Sequence, residues 1–255
     1  MSQSLYTAAV GMRAQQQRID TLANNVANVN TAGFKKSRTD FKDAVYQAMQ
    51  NPGLPDGGAT EALHLGQGIL IDSDKKIMSD GALEETGRSL DLALSGEGFY
   101  ALENPEGPTL YTRDGVFVSQ PQPDGSYALT TVNGYYVLNQ EGERIQNVLP
   151  FDDLSVSSQG QITVGGLFAG QLGRFTFASL EGLASAGSKT YLETDGSGEP
   201  EASQATVYQG YVESSNVDLA EEMTRLMRAQ RAYALLGRAI STADQMKATE
   251  NDIRR

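Results

Sequence analysis

The sequence predicts an α+β protein, in which long N- and C-terminal helices pair as a coiled coil and an inserted, mainly antiparallel β domain and an extended arm lie between them. Three observations predict this fold class. Apolar residues recur every seven positions at both ends of the 255-residue chain, apolar and polar residues alternate through its middle, and a Pro- and Gly-rich stretch separates the first helix from the strands. Heptad spacing is typical of helices that seek partner helices, and a period of two is typical of strands.

The first helix is predicted from an apolar seam through the first thirty residues. Two neighbouring rows of positions each recur every seven residues. One row contains Leu5, Met12, Ile19 and Val26, and the other contains Ala8, Gln15, Leu22 and Val29. Because such a seam exposes apolar side chains when the helix is alone, we expect these residues to contact other helices.

Asparagine is unusually dense at the end of this helix. Asn24, Asn25 and Asn28 occupy its last turns, although Asn is a poor residue for a helix interior. Because an amide both donates and accepts hydrogen bonds, we expect these side chains to bind neighbouring subunits and fix their register. The alternative is that they only cap the helix end. We expect residues 30–33 to stop the helix, with Gly33 in the left-handed conformation.

The C-terminal helix is predicted from a second seam. Its positions are Leu219, Leu226, Tyr233 and Ile240, with Met223 between the first two and with Leu236 and Ala243 widening the stripe. Residues 214–216 (Ser-Ser-Asn) precede the seam as expected caps. Asp218, Glu221 and Glu222 put negative charge at the first turn, where the helix dipole favours it.

Between the helices the pattern predicts strands and turns. Leu90, Leu92 and Leu94 alternate with smaller or polar residues, and Asn133-Gly134 between two β-rich runs predicts a hairpin with a two-residue turn. A further turn is expected at Asp114-Gly115, a tight bend at residues 96–98, and further strands at 161–164 and 173–177. Residues 187–204 are expected to be a flexible connector.

The stretch 47–68 is rich in Pro and Gly, with Pro52, Pro55 and Gly57-Gly58, and has little periodicity. We interpret it as a loop or extended arm. The predicted domains are a terminal helical assembly domain of residues 1–33 and 214–255, a connector with the arm at residues 34–70, and a β domain of residues 71–213.

Composition excludes several classes of function. The chain has no Cys, which excludes disulfides and thiolate chemistry, and no apolar run approaches the length of a membrane span. The net charge is −12, and residues 46–216 carry seven basic and twenty-three acidic residues. An acidic surface argues against nucleic-acid binding, which needs a basic footprint. The first residues do not have the form of a cleaved secretory signal.

Catalytic and metal-binding patterns are sparse. His64 is the single histidine, and we expect no catalytic residues, no metal site and no cofactor. Glu84-Glu85 and Asp152-Asp153 are adjacent acidic pairs, for which a solvated surface is the default interpretation. The alternative is a β domain that hydrolyses cell-wall carbohydrate, which would need two carboxylates about 5–9.5 Å apart in a cleft. A cytoplasmic coiled-coil adaptor is a further alternative.

Several stretches together resemble the flagellar basal-body rod and hook protein family. They are LANNVANVNTAGFK at 22–35, the internal SGEGFYAL, LYTRDGVF and GQLGRFTF, and the long stretch 209–246 that begins QGYVESSNVDLAEEM. The resemblance covers nearly the whole chain. Its length and the arm after Phe41 are most similar to the distal-rod member, with a proximal-rod or hook-type member as the alternative.

The resemblance implies a structural role without enzymatic activity. Members of the family are axial proteins that polymerise into a helical tube around the export channel and transmit torque, together with other rod and hook proteins. It also implies passage through the flagellar type III export apparatus without a cleaved signal peptide, and a location in the extracytoplasmic basal body. Phe41 and Val45 match the spacing that the family uses at the export gate, although a core role for both residues is equally compatible with the sequence.

Overall fold

The computed structural model describes residues 2–43, 47–48, 64–65, 69–104, 107–123, 125–146, 154–187 and 189–253. The chain divides into two compact units. One, here called the helical unit, contains Met1–Val26, Ser37–Lys75 and Leu219–Arg255. The other, here called the β unit, contains Ala27–Lys36 and Lys76–Asp218. The partition places residues 27–36 with the strands and residues 37–75 with the helices, which differs from the predicted domain limits.

The helical unit contains both long helices and four strands. Its elements are α1 (Ser2–Ala27), β1 (Ser37–Asp43), β2 (Gln47–Ala48), β3 (His64–Leu65), β4 (Ile69–Lys76) and α2 (Leu219–Ile253). β1 pairs with β4, and β2 pairs antiparallel with β3. The predicted helices at both ends are therefore confirmed, and the base of the predicted arm is a short two-stranded ladder.

The β unit is mainly antiparallel, as predicted. Its strands are β5 (Leu83–Glu85), β6 (Leu92–Ser95), β7 (Phe99–Glu103), β8 (Leu110–Thr112), β9 (Phe117–Pro121), β10 (Tyr127–Thr131), β11 (Tyr136–Val137), β12 (Leu154–Val156), β13 (Gln161–Val164), β14 (Leu167–Gln171), β15 (Arg174–Thr176), β16 (Ala184–Ser185), β17 (Thr190–Leu192), β18 (Glu201–Ala202), β19 (Thr206–Gln209) and β20 (Tyr211–Glu213). A short 3-10 helix covers Leu180–Gly182.

The largest sheet runs in the order β16-β17-β8-β7-β11-β10-β9, with β15 against β7 and β18 against β15. β12, β13 and β14 form a separate three-stranded sheet, while β19 pairs with β6 and β20 with β5. The expected strands at 161–164 and 173–177 are thus present as β13 and β15. Residues 187–204 contain β17 and β18, so the expectation of a flexible connector there is wrong.

Two apolar clusters form the core of the β unit, and β7 contributes to both. Tyr100 and Leu102 point into the larger cluster, whereas Phe99 and Ala101 point into the smaller one. In the smaller cluster Phe99 packs edge-on against Tyr191 with ring centroids 5.6 Å apart. The alternation of a strand buried on both faces therefore divides its side chains between two cores.

The turns carry two corrections. The hairpin at Asn133-Gly134 is present, but its loop has three residues, because Thr131 N donates to Tyr135 O and Gly134 N donates to Thr131 O. Gly134 has φ 85°, which is the left-handed position of that loop type. The Asp114-Gly115 bend does not join paired strands, since β8 pairs with β7 and β17 and β9 pairs with β10.

Both helix ends near the β unit are defined by specific residues. The α1 helix ends at Ala27, before the predicted stop at residues 30–33, and Gly33 has φ 69°, the left-handed conformation that was predicted. A Cβ at Gly33 would lie 2.8 Å from Asp114 Cα, so the close approach also requires glycine. At the other end, the expected caps do not cap α2, because Asn216 Nδ2 donates to Ile77 O and Asn216 Oδ1 accepts from Lys36 N.

Candidate assembly surface

The two long helices meet at two places among the described residues. Ala14 of α1 and Ala229 of α2 are buried, and a methyl group added at Gly11 would lie 3.6 Å from Leu236 Cδ1. Asn25 lies fourteen residues after Gly11 in α1. It contacts Glu222, which lies fourteen residues before Leu236 in α2. These two contacts give the helices opposite chain directions.

Asn25 is the most densely bonded side chain of this contact. It is fully buried, its Nδ2 donates to Glu222 Oε2 at 3.1 Å and to Ser37 O at 2.8 Å, and its Oδ1 accepts from Ser37 N at 2.9 Å. We call Asn25, Ser37 and Glu222 the end clip. The sequence expectation gave Asn25 to a neighbouring subunit, but in the structure these bonds are within the chain, because Ser37 and Glu222 surround it.

The other two asparagines differ from Asn25. Asn24 is exposed. Asn28 is half-buried and follows the helix end, where Asn28 Oδ1 accepts from Thr31 Oγ1 at 3.2 Å and Asn28 O accepts from Thr31 N. Both of these bonds lie within the turn that follows the helix.

The predicted seam of α1 lies at the edge of its buried face. Leu22 is buried, while Met12, Ile19 and Val26 are half-buried. Leu5 lies in α1 but outside the side chains that the structure describes. The buried positions Gly11 and Ala14 were missed because small residues give little hydrophobic signal.

The predicted seam of α2 is rotated relative to its buried face. Glu222 and Ala229 are its buried residues, one heptad apart, and neither was in the predicted seam. Leu226, Tyr233 and Ile240 are half-buried, whereas Leu219 and Met223 are 47% and 45% exposed. The difference arises because the end clip holds Glu222 against α1 and turns Leu219 and Met223 toward solvent.

Further large apolar side chains of α2 are exposed. Met227 is 49% exposed, Leu235 59%, Met246 58% and Ile253 80%. Together with Leu219 and Met223 they occupy more than one face of the helix, since Leu219 and Leu235 are sixteen residues apart, which places them about 160° apart around the helix axis. Exposed apolar surface of this extent is typical of interaction sites.

A groove of about 700 Å³ lies beside this contact within the helical unit. Leu22, Ala229 and the half-buried Phe41 line it together with Arg18 and Arg228. Phe41 therefore has a packing position, and Val45 lies outside the described residues. Pro52 and Pro55 also lie outside them.

A cluster of charged residues, buried except for the exposed Asp80, ties together distant parts of the β unit. Glu213 Oε1 accepts from Lys35 Nζ at 2.6 Å and from Gly81 N at 2.8 Å, and Glu213 Oε2 accepts from Arg113 Nε at 3.0 Å. Arg113 also pairs with Asp80 and donates to Gly96 O and Gly98 O. We call Lys35, Asp80, Arg113 and Glu213 the charge cluster.

Burial determines the electrostatics of the charge cluster. It lowers the pKa of Lys35, and the carboxylate of Glu213 opposes that shift. Because a buried charge is tolerated only when it is paired and hydrogen-bonded, the cluster holds the residues after α1 against the last strand before α2. Lys35 and Glu213 were not singled out by the sequence analysis.

Neither described helix is long and apolar enough to cross a membrane. Among the described residues, no group of three or more His, Cys, Asp or Glu side chains could hold a metal ion.

Three parts of the chain match protein families. Residues 5–35 match the family "Flagella basal body rod protein", residues 93–164 match "Flagellar hook protein FlgE/F/G D1 domain", and residues 208–253 match "Flagellar basal body rod FlgEFG protein C-terminal". The first match contains Asn25 and the third contains Glu222, and these are the two end-clip residues that join α1 to α2.

The chain is also similar over its whole length to curated proteins named flagellar basal-body rod protein FlgG. It is 37% identical to that of Borreliella burgdorferi, with 100% of both chains covered. It is 37% identical to that of Agrobacterium fabrum, covering 95% of this chain and 96% of the relative. Identity to the Bacillus subtilis protein is 35%, over 96% and 97%.

Proposed function

The chain belongs to the flagellar basal-body rod protein family, and from this premise we propose that it self-assembles into the helical tube of the distal rod, which transmits torque and encloses the export channel. As a member of that family it is a structural protein of the flagellar basal body. The proposal concerns how its subunits join.

The observation that carries the proposal is the amount of apolar surface on α2. Glu222 and Ala229 are the buried residues of this helix, and Met227, Leu235 and Met246 remain about half or more exposed. Burying a large apolar side chain contributes about 1.5–3 kcal/mol. The exposed residues of α2 therefore provide surface for neighbouring subunits, and the paired helices act as an antiparallel coiled coil within the tube.

Contacts between different faces of identical subunits continue as an open helix unless the rotation closes a ring. The predicted interface residues Met12, Ile19, Leu226, Tyr233 and Ile240 are half-buried, which leaves part of each for such contacts. In this proposal Leu5 and the exposed Asn24 extend the same surface. The tube then joins other rod and hook proteins at its two ends.

Two further parts of the proposal concern the residues after α1. We propose that Phe41 and Val45 contact the export apparatus while the chain is unfolded, before Phe41 takes its place beside the groove. We also propose that the stretch 47–68, with Pro52 and Pro55, braces neighbouring subunits and stiffens the tube. The subunit then lies outside the cytoplasm without loss of a signal peptide. The relatives reported above are rod proteins, which gives the carbohydrate-hydrolase alternative no support.

The assembly proposal is tested with glutamate substitutions that preserve helix propensity. Met227→Glu and Leu235→Glu each place a charge on the exposed apolar surface, and Gln230→Glu is the control on the same helix. We expect the two apolar variants to raise the critical concentration for polymerisation at least tenfold, which corresponds to about 1.4 kcal/mol per contact. Sedimentation and electron microscopy measure polymerisation, and recovery of motility in a strain that lacks the protein measures function. Normal polymers from both variants would contradict the proposal.

A further inference from the structure

The separate three-stranded sheet of the β unit differs in charge from the rest of that unit. The β unit contains eight basic and twenty acidic residues, whereas the helical unit contains twelve of each. Residues 154–173, which span β12, β13 and β14, contain no charged residue at all. An uncharged sheet thus lies within a unit whose net charge is −12.

The tip of this sheet carries two large exposed apolar residues. Leu167 is 77% exposed and Phe168 is 66% exposed, although they are consecutive residues of one strand. Since consecutive strand residues point to opposite faces, exposure of both means that the tip of the hairpin is open to solvent on each face. The other exposed residues of the stretch 154–173 are small or uncharged polar residues. They are Ser155, Ser157, Ser158, Gln159, Gln161, Gly165 and Gly166.

The hairpin holds these two residues in a defined position. Gly165 and Gly166 have φ angles of 58° and 80°, which are the two left-handed central positions of a tight hairpin turn. Val164 pairs directly with Leu167, and Thr163 pairs with Phe168. The apolar tip is therefore pre-organised, and binding through it costs little conformational entropy.

Charge identifies the partner. A basic partner would bind best to the acidic remainder of the β unit, whereas two copies of this acidic unit repel each other wherever their charged surfaces meet. An uncharged patch is where two such units can approach closely. We propose that the hairpin tip at Leu167 and Phe168, with the uncharged sheet behind it, contacts the β unit of a second copy of this chain.

This inference rests on the proposed function, because it supplies a contact between the β units of subunits whose helices already assemble. It also predicts an unusual dependence on salt. Raising the ionic strength from about 0.01 M to about 0.15 M shortens the Debye length from about 30 Å to about 8 Å and so screens the repulsion between acidic units. The contact should therefore strengthen with salt, whereas a contact built on opposite charges would weaken.

The first experiment uses the assembled full-length chain with the photo-crosslinker p-benzoylphenylalanine in place of Phe168. The matched control carries it in place of Val132, which is 69% exposed at the tip of the hairpin between β10 and β11. We expect a product of twice the chain mass from position 168, with the crosslink mapping to the β unit of the second copy, and little from position 132. Crosslinks to a different protein, to the same chain or to nothing would overturn the inference.

The second experiment compares the Leu167→Ser/Phe168→Ser double variant with Val132→Ser by sedimentation at both ionic strengths. We expect the double variant to lose at least tenfold in self-association at the higher salt and to keep the near-ultraviolet circular dichroism of the folded β unit. Wild-type association that weakens as salt rises would overturn the inference. If the double variant polymerises like the wild type while Met227→Glu does not, this inference fails and the proposed function stands. If the wild type does not polymerise under any condition, both fail.

Discussion

The β unit and the helical unit stabilise themselves by different means. In the β unit, side chains such as Tyr100, Phe117 and Leu172 are essentially inaccessible to solvent, and Lys35, Arg113 and Glu213 of the charge cluster are also buried. In α2, 35 residues long, the buried residues are Glu222 and Ala229. Since most helical stability in proteins comes from packing, the helical unit of a lone subunit should open at much lower free energy than the β unit. A rod subunit that polymerises through its helices gains that packing from its neighbours.

Neutralising Glu213 should give the largest loss of stability, and the unit that loses stability should be the β unit. Glu213→Gln leaves the buried Lys35 without the carboxylate that it pairs with and leaves Arg113 with Asp80, and removing one partner of a buried ion pair typically costs about 3–5 kcal/mol. Urea unfolding followed by tyrosine fluorescence measures the change. Glu85→Gln, an exposed site on β5, is the control and should change the unfolding free energy by less than about 0.5 kcal/mol. Equal midpoints for the two variants would show that the charge cluster does not stabilise the unit.

Alkaline pH should also destabilise the β unit. Burial raises the pKa of Tyr111 to about 12 and raises the pKa of Tyr100 and Tyr191 further. Because the folded pKa lies above the unfolded value near 10, each tyrosine contributes stability that is fully present below pH 10 and is lost as pH rises toward the folded pKa. The loss approaches about 1.4 kcal/mol per pH unit for each tyrosine.

The absorbance of tyrosinate measures this effect directly. We expect part of the tyrosine absorbance change to appear only when the β unit unfolds, as a cooperative step at the same pH as the loss of near-ultraviolet circular dichroism. A smooth titration of all tyrosines, completed before unfolding, would contradict the prediction.

Removing the amide of Asn25 should act on the helical unit instead. Asn25→Ala removes the hydrogen bonds of the Asn25 side chain with Ser37 N and with the Glu222 carboxylate. The loss should cost about 1–3 kcal/mol of stability. Hydrogen exchange should become faster in the last turns of α1 and in β1, with little change in the β unit. Asn24→Ala, at the exposed neighbouring position, is the control. Faster exchange throughout the β unit would show that the two units are not independent in stability.

The difference between the units also explains which features could be predicted from sequence. Local signals were sufficient for both helices, for the left-handed conformation of Gly33 and for the presence of a hairpin at Asn133-Gly134, because each depends on residues close in the chain. The buried position of Glu222 could not be predicted, since its partner Asn25 is 197 residues away in sequence. Charged residues such as Lys35 and Arg113 are normally exposed, so their burial depends on a carboxylate that only the fold brings to them.

The stretch 187–204 was interpreted as a connector because its Gly and polar residues dominate its composition. In the structure Tyr191 is 1% exposed and packs on Phe99, and the buried Ser197 is held by Thr194, whose backbone N donates to Ser197 Oγ. Three-residue strands such as β17 are too short for periodicity to reveal. The Gly165-Gly166 hairpin, by contrast, had a recognisable signal in two adjacent glycines between β-forming residues, which the sequence analysis did not use.

The smallest expected effect concerns glycine within the helices. Gly11 lies where α1 meets α2, and a methyl group there would stand 3.6 Å from Leu236 Cδ1, which is an ordinary contact. Gly237 of α2 has nothing within 4 Å of the same position and is the matched control. Because alanine is favoured over glycine in a helix interior by about 0.5–1 kcal/mol, both Gly11→Ala and Gly237→Ala should raise the helicity of the free subunit slightly. Circular dichroism of the dilute chain measures helicity, and sedimentation measures assembly. Lower helicity or impaired assembly in Gly11→Ala alone would show that α1 and α2 approach more closely in the working subunit. The helical unit would then be as sensitive to added side-chain volume as the core of the β unit.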